Sequence, residues 1–264
     1  MERDRTVVET TAVAPNKALF LLEGRAIPEL FGFAAALPTL TALAPRGDGQ
    51  PVLVLPGLTT SDRSTVALRR FLKSKGYPVH GWNMGLNLGP RPGVEDGLID
   101  LVTRLNDEYE RKISIIGWSL GGIYARQLGK LMPERIRQVI SMGSPFGGSP
   151  RATNAWRVYE MASGQRSHDG DQHMGGAIAA PPPVPTTAIY SKTDGICAWQ
   201  NCIEAKSDIA ENIEVKASHC GLGHHPAAAY AIADRLAQPE GNWKQFDRSG
   251  FRSVIFPAPA YPSR

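Results

Sequence analysis

Six short apolar runs set the framework of this chain, and each ends in glycine or serine. They are Pro51–Gly57, Val79–Gly85, Ile113–Ser119, Ile136–Ser144, Thr186–Ser191 and Asn212–Ser218. Runs such as PVLVL and ISII are continuous rather than alternating, which marks strands covered on both faces. Between them, apolar residues recur with helical spacing. Val66, Leu68, Phe71 and Leu72 precede a stop at Gly76, and Leu98, Leu101, Val102 and Leu105 share the segment 94–110. Leu120–Leu131 and Pro226–Leu236 read as two further helices. Strands alternating with helices this way build an open, mostly parallel sheet with right-handed crossovers and helices on both faces.

The 264 residues suit a single domain, and 42% apolar content is ample for a core, so disorder over the whole length is excluded. The 29 basic and 25 acidic residues leave +4, scattered without a basic run longer than Arg69-Arg70 or Arg111-Lys112. Nucleic acid is therefore not an expected partner. No repeat period is visible, which removes solenoids and propellers.

Residues 1–49 read as an N-terminal helical arm punctuated by Pro28 and Pro38. One stripe carries Phe20, Ile27 and Phe31, another Phe33, Leu37, Leu40 and Leu43. The arm either packs on the domain's edge or makes a membrane-surface or dimer contact. The stretch Leu30–Pro45, broken by Pro38, falls short of the roughly 20 residues that a spanning helix needs. MERDRTVVET lacks the apolar core of a signal peptide. A cytoplasmic location is thus expected, or a secreted or periplasmic one if a leader was removed.

The rhythm breaks between residues 144 and 183, a segment rich in Ser, Gly, His, Asp and Pro that reads as a lid or cap insertion with a short helix near Ala155–Met161. Asp169, Asp171, His168 and His173 in it do not make a convincing metal set, and no metal or other cofactor is expected. Three cysteines form neither a disulfide framework nor a zinc spacing; Cys202 and Cys220 are the pair expected to bridge if any does, and Cys197 reads as packing.

Chemistry concentrates at Gly117-Trp118-Ser119-Leu120-Gly121. G-x-S-x-G between a buried strand and a helix holds the serine in a strained, tight turn at the carboxyl end of the sheet, where open α/β folds bind ligands. A serine hydroxyl needs a base, and the base needs an orienting acid. His219, directly after a strand, is the expected base, with His224 its competitor. Asp194, at the end of Thr186–Ser191, is the expected acid, with Asp208 the runner-up. Backbone N–H groups of Leu120 and Leu58 are the expected oxyanion donors. Thr59, Trp118 and Trp82 are candidates for the substrate pocket, although Trp82 reads equally well as core.

On LVLPGL at 53–58, IIGWSLGG at 115–122, IYSKTDGI at 189–196 and SHCGL at 218–222, the chain resembles the α/β-hydrolase superfamily, in its bacterial lipase and carboxylesterase branch. The resemblance covers residues 51–237 and implies a reduced form of that fold, with nucleophile Ser119, acid Asp194 and base His219. Many lipases of this type carry His where this chain has Trp118. The implied activity is hydrolysis of short- to medium-chain carboxylic esters, small-molecule or lipid, through an acyl-enzyme. Acyl transfer, lactone, amide or polyester hydrolysis on the same triad stays open, as does a non-catalytic binding role.

Overall fold

The structure is a computed structural model that describes residues 12–149, 151–164, 172–173 and 176–262. In chain order its elements are α1 (Lys17–Leu21), α2 (Ala26–Leu43), β1 (Val52–Leu55), α3 (Val66–Ser74), β2 (Val79–Gly81), α4 (Val94–Tyr109), β3 (Ile113–Trp118), α5 (Leu120–Leu131) and β4 (Ile136–Met142). There follow α6 (Trp156–Ser163), β5 (Gln172–His173), β6 (Gly176–Ala177), β7 (Thr186–Tyr190), β8 (Ala210–Glu214), α7 (Pro226–Leu236) and α8 (Arg252–Ile255).

Six strands form one sheet in the order β2-β1-β3-β4-β7-β8, and every pairing in it is parallel. Strand side chains alternate between faces, so each strand feeds two cores. Val52, Val54, Ile116 and Trp118 face α2, α3 and α7, where Phe33, Phe71, Leu72 and Ala229 meet them. Leu53, Leu55, Ile113 and Ile115 face α4 and α5, packing with Leu98, Leu105, Tyr124 and Leu128. Burial on both faces is the physical reason the strand sequences are continuously apolar.

Two expectations shift. The last strand spans Ala210–Glu214, earlier than the run Asn212–Ser218, because its register with β7 pairs Thr186 with Ala210. The arm is split. Phe33 and Leu40 are buried, Phe33 edge-on to Phe71 at 6.4 Å, whereas Phe20, Ile27 and Phe31 of the other stripe are exposed. Helix continues through Pro38, and Lys17–Leu43 gives 27 residues with mean hydropathy 1.4 over its best window, long and apolar enough to cross a membrane by length and composition.

In the region 144–183, α6 abuts the loop after β2, with Arg91 donating to the Ala162 carbonyl. The base of this region is stitched to the turn after β7: Asn154 donates to the carbonyls of Ile196 and Gly195, and Ala198 to that of Ala152. His168, Asp169 and Asp171, together with the side chain of His173, lie outside the described residues.

Candidate active site

The carboxyl ends of β1, β3, β4, β7 and β8 converge on one rim. Ser119 follows β3 directly and holds φ 53°, ψ −120°, a left-handed strained backbone that non-glycine residues rarely adopt. Close packing enforces the turn. A Cβ on Gly121 would strike the backbone of Leu55 and Pro56, and one on Gly117 the backbone of Gly121 and Gly122. The Ser119 N–H is anchored on the Met142 carbonyl at 2.8 Å, and its side chain remains partly exposed.

The loop after β1 lies against this serine: the α-carbon hydrogen face of Gly57 looks onto the Ser119 Cβ, 3.3 Å from where a Cβ would sit. Leu58 and Leu120 flank that contact, and neither N–H has an acceptor among the described residues. Leu120 opens α5, where first-turn N–H groups lack helical partners. The loop is held by Asn87, a fully buried residue whose amide donates to the Pro56 carbonyl at 2.8 Å. Its backbone pairs with Thr59 and Thr60.

The aspartate and histidine expected as acid and base meet. His219 Nδ1 lies 2.6 Å from Asp194 Oδ2, and both side chains are buried. Asp194 Oδ1 accepts the N–H groups of Ile196 and Cys197 at 2.8 and 2.7 Å, which fixes the carboxylate's orientation. Burial pulls the His219 imidazole down, but the Asp194 charge and hydrogen bond, with the neighbouring Cys197, hold it well above the usual histidine range. Gly143, at φ 55°, lets β4 pass beneath the pair. A Cβ there would sit 3.1 Å from His219 Nδ1 and 3.2 Å from Asp194 Oδ2. Because Ser119 hangs from Met142, the residue before Gly143, serine and imidazole share this junction.

The rivals are placed elsewhere. His224 meets the Ala26 carbonyl at 2.9 Å, and Asp208 lies on an exposed loop. Two pocket candidates move into the core. Trp82 is buried among Leu53, Leu98 and Leu101, with its indole N–H on the Gly85 carbonyl. Trp118 is buried on the opposite face, and its indole N–H donates to the His219 carbonyl at 3.1 Å, so it buttresses that residue. Strand alternation explains this: the residue before the elbow points into the sheet's core. Thr59 stays at the rim, its hydroxyl on the Leu58 carbonyl.

The Cys202–Cys220 bridge is not formed; all three cysteines are free. Cys202 packs beside Cys197 near Tyr190, while Cys220 is exposed. Cys197, read as packing, also touches the pair: ligand-capable atoms of Asp194, Cys197 and His219 lie within 4.8 Å of one another. Its thiol, donating to Cys202, is pushed well above the usual range by that hydrogen bond and by burial, which keeps it protonated. The Asp194 and His219 atoms of this trio are already spent on their mutual hydrogen bond.

No family model matches the chain. Over 109 residues it is 29% identical to a carboxylesterase of Bacillus subtilis (strain 168), across 38% of this chain and 44% of that protein. The chain thus spans under half the length of this curated relative. It superposes on Aspergillus fumigatus lipase B with TM-score 0.56 and 17% identity, covering 73% of this chain and 54% of that one. The monoacylglycerol lipase of Paleococcus ferrophilus gives TM-score 0.51 and 16% identity over 74% and 96%. These likenesses establish that the chain has the α/β-hydrolase fold.

Proposed function

On this α/β-hydrolase fold, we propose a serine hydrolase that cleaves carboxylic esters through an acyl-enzyme. The observation that carries the reading is the buried 2.6 Å Asp194–His219 pair at the same junction as the strained Ser119. His219 Nε2 takes the Ser119 proton as Oγ attacks the ester carbonyl, and the resulting oxyanion is met by the Leu58 and Leu120 N–H groups. His219 then protonates the leaving alcohol. A water, deprotonated by His219, attacks the acyl-enzyme, and its collapse releases the carboxylic acid and restores Ser119.

The relatives named a carboxylesterase and lipases support an ester substrate. The region 144–183 serves as a partial lid in this reading, its exposed Val158 and Met161 offering apolar contact for a short- to medium-length acyl chain. Exposed Phe20, Ile27, Leu30 and Phe31 on the arm suit contact with a lipid surface, which would present such esters. Removing Ser119's hydroxyl is the decisive test. Ser119→Ala is expected to lose about 10⁶-fold in kcat on p-nitrophenyl esters and to escape fluorophosphonate labelling. Retained hydrolysis would overturn the assignment. A panel from acetate to palmitate, with and without liposomes, then sets the chain length and tests the surface contact.

A further inference from the structure

The arm carries three charged residues between Lys17 and Arg46, namely Glu23, Arg25 and Glu29, in an otherwise apolar helical stretch. All three are turned onto the loops that bear the acid and the base. Glu23 Oε1 accepts the N–H of Gly195 at 2.8 Å and that of His219 at 2.9 Å, while Oε2 accepts the N–H of Cys220 at 2.9 Å. One carboxylate thereby joins the residue after Asp194 to His219 itself. Glu29 accepts the Ser218 N–H at 2.9 Å and also its hydroxyl. Arg25 donates to the carbonyl and hydroxyl of Thr193, the residue before Asp194, and to Glu29 at 3.2 Å. The Leu19 carbonyl fills the space where Gly195 would carry a Cβ, so the arm lies flush on the acid turn.

We propose that Glu23 is a positioning residue for the acid–base pair, and that the N-terminal arm is in this way an integral part of the active site. The proposal rests on the reading of Asp194 and His219 as acid and base. Its physical basis is direct. Residues 193–195 and 218–220 leave adjacent strand ends as loops, and loops drift unless their backbone N–H groups are held. Between the two loops, the sheet domain supplies the Asp194–His219 contact, the Ser191 hydroxyl's bonds with the backbone of Ala217 and the Thr193 hydroxyl's bond to the Ala217 carbonyl, and none of these holds the N–H groups of Gly195, His219 or Cys220. Hydrogen bonds to an ionised carboxylate are about twice as strong as neutral ones, and Glu23 spends three of them setting the spacing of the loops. A misplacement near 1 Å at the reacting groups is enough to cost about 10²-fold in rate.

The test compares wild type, Glu23→Ala, Glu23→Gln and Phe33→Ala. The last loosens the arm's buried apolar contact while keeping the carboxylate. The readouts are ester kinetics across pH, thermal midpoint, and the His219 Nδ1–H resonance by NMR with its imidazole titration. Glu23→Ala is expected to lower kcat about 10²-fold with KM nearly unchanged, and to shift both the Nδ1–H resonance and the imidazole titration. Glu23→Gln keeps one oxygen acceptor for Gly195 and His219, so it is expected to fall between Glu23→Ala and wild type. Phe33→Ala is expected to lower the midpoint while leaving the resonance and the pH profile in place. An unmoved resonance and titration in Glu23→Ala would overturn the proposal. So would a kcat loss that merely follows the midpoint equally in Glu23→Ala and Phe33→Ala. If the wild type itself neither hydrolyses esters nor labels, the hydrolase reading falls, and the NMR comparison still decides Glu23's role.

Discussion

Ser119 and the Asp194–His219 pair are held in place by opposite means. Ser119 is positioned from within: Gly117 and Gly121, two residues to either side, a strained φ of 53° and the first turn of α5 leave the backbone one path. Asp194 and His219 are positioned from outside. Their loops are fixed by Glu23, Arg25 and Glu29, partners 168 to 197 residues distant in sequence. Strain built into a tight turn survives wherever the local sequence is kept, because neighbouring backbone enforces it. A site assembled from remote hydrogen bonds depends on the docking of a separate element.

The largest effect should come from cutting the pair itself. Asp194→Asn is expected to lower kcat about 10⁴-fold, because the amide favours the wrong imidazole tautomer. It also removes the charge that raises His219, so burial then dominates and the imidazole deprotonates more readily. The acid limb of the kcat/KM profile should therefore move to lower pH, and a limb that stays put would break the account of the raised imidazole. Gly143→Ala comes next. It intrudes on both members of the pair at a left-handed backbone position and should lower kcat about 10²-fold while labelling of Ser119 slows in step. Trp118→Phe leaves the His219 carbonyl without its indole donor, at about 1–3 kcal/mol of stability measurable by denaturant unfolding. Phe31→Ser, on the arm's exposed stripe, should change stability by less than about 0.5 kcal/mol. A reduced liposome association in that variant, without loss of turnover, would separate surface contact from positioning.

The elements of the sheet were legible because burial on both faces and helical spacing are written in each segment. Pro226–Leu236 is recovered residue for residue, and β3 ends where the glycine-rich turn begins. The elbow was legible for the same reason: its strain and its close packing arise within a few residues. The spacing does not show that Cys202 and Cys220 stay apart as free thiols, nor which of its two readings Trp82 takes, since each depends on which face a residue meets. Nothing in spacing announces that Cys202 packs on Cys197, that Asn87 ties the oxyanion loop, or that Glu23 reaches His219. The three charges of the arm, Glu23, Arg25 and Glu29, read equally well as the solvated face of an edge helix, so their spacing does not announce these contacts.

The continuous apolar runs and the G-x-S-x-G turn that mark the chain at first sight determine a parallel α/β sheet and a serine at its carboxyl end. Local backbone sterics and the hydrophobic effect act along a single segment, so sequence alone suffices for both. The tertiary structure decided which histidine and which aspartate meet, and what holds them. That choice is made by hydrogen bonds between loops brought together only when the arm, β7 and β8 have packed, and a bond across nearly two hundred residues leaves no periodicity to read.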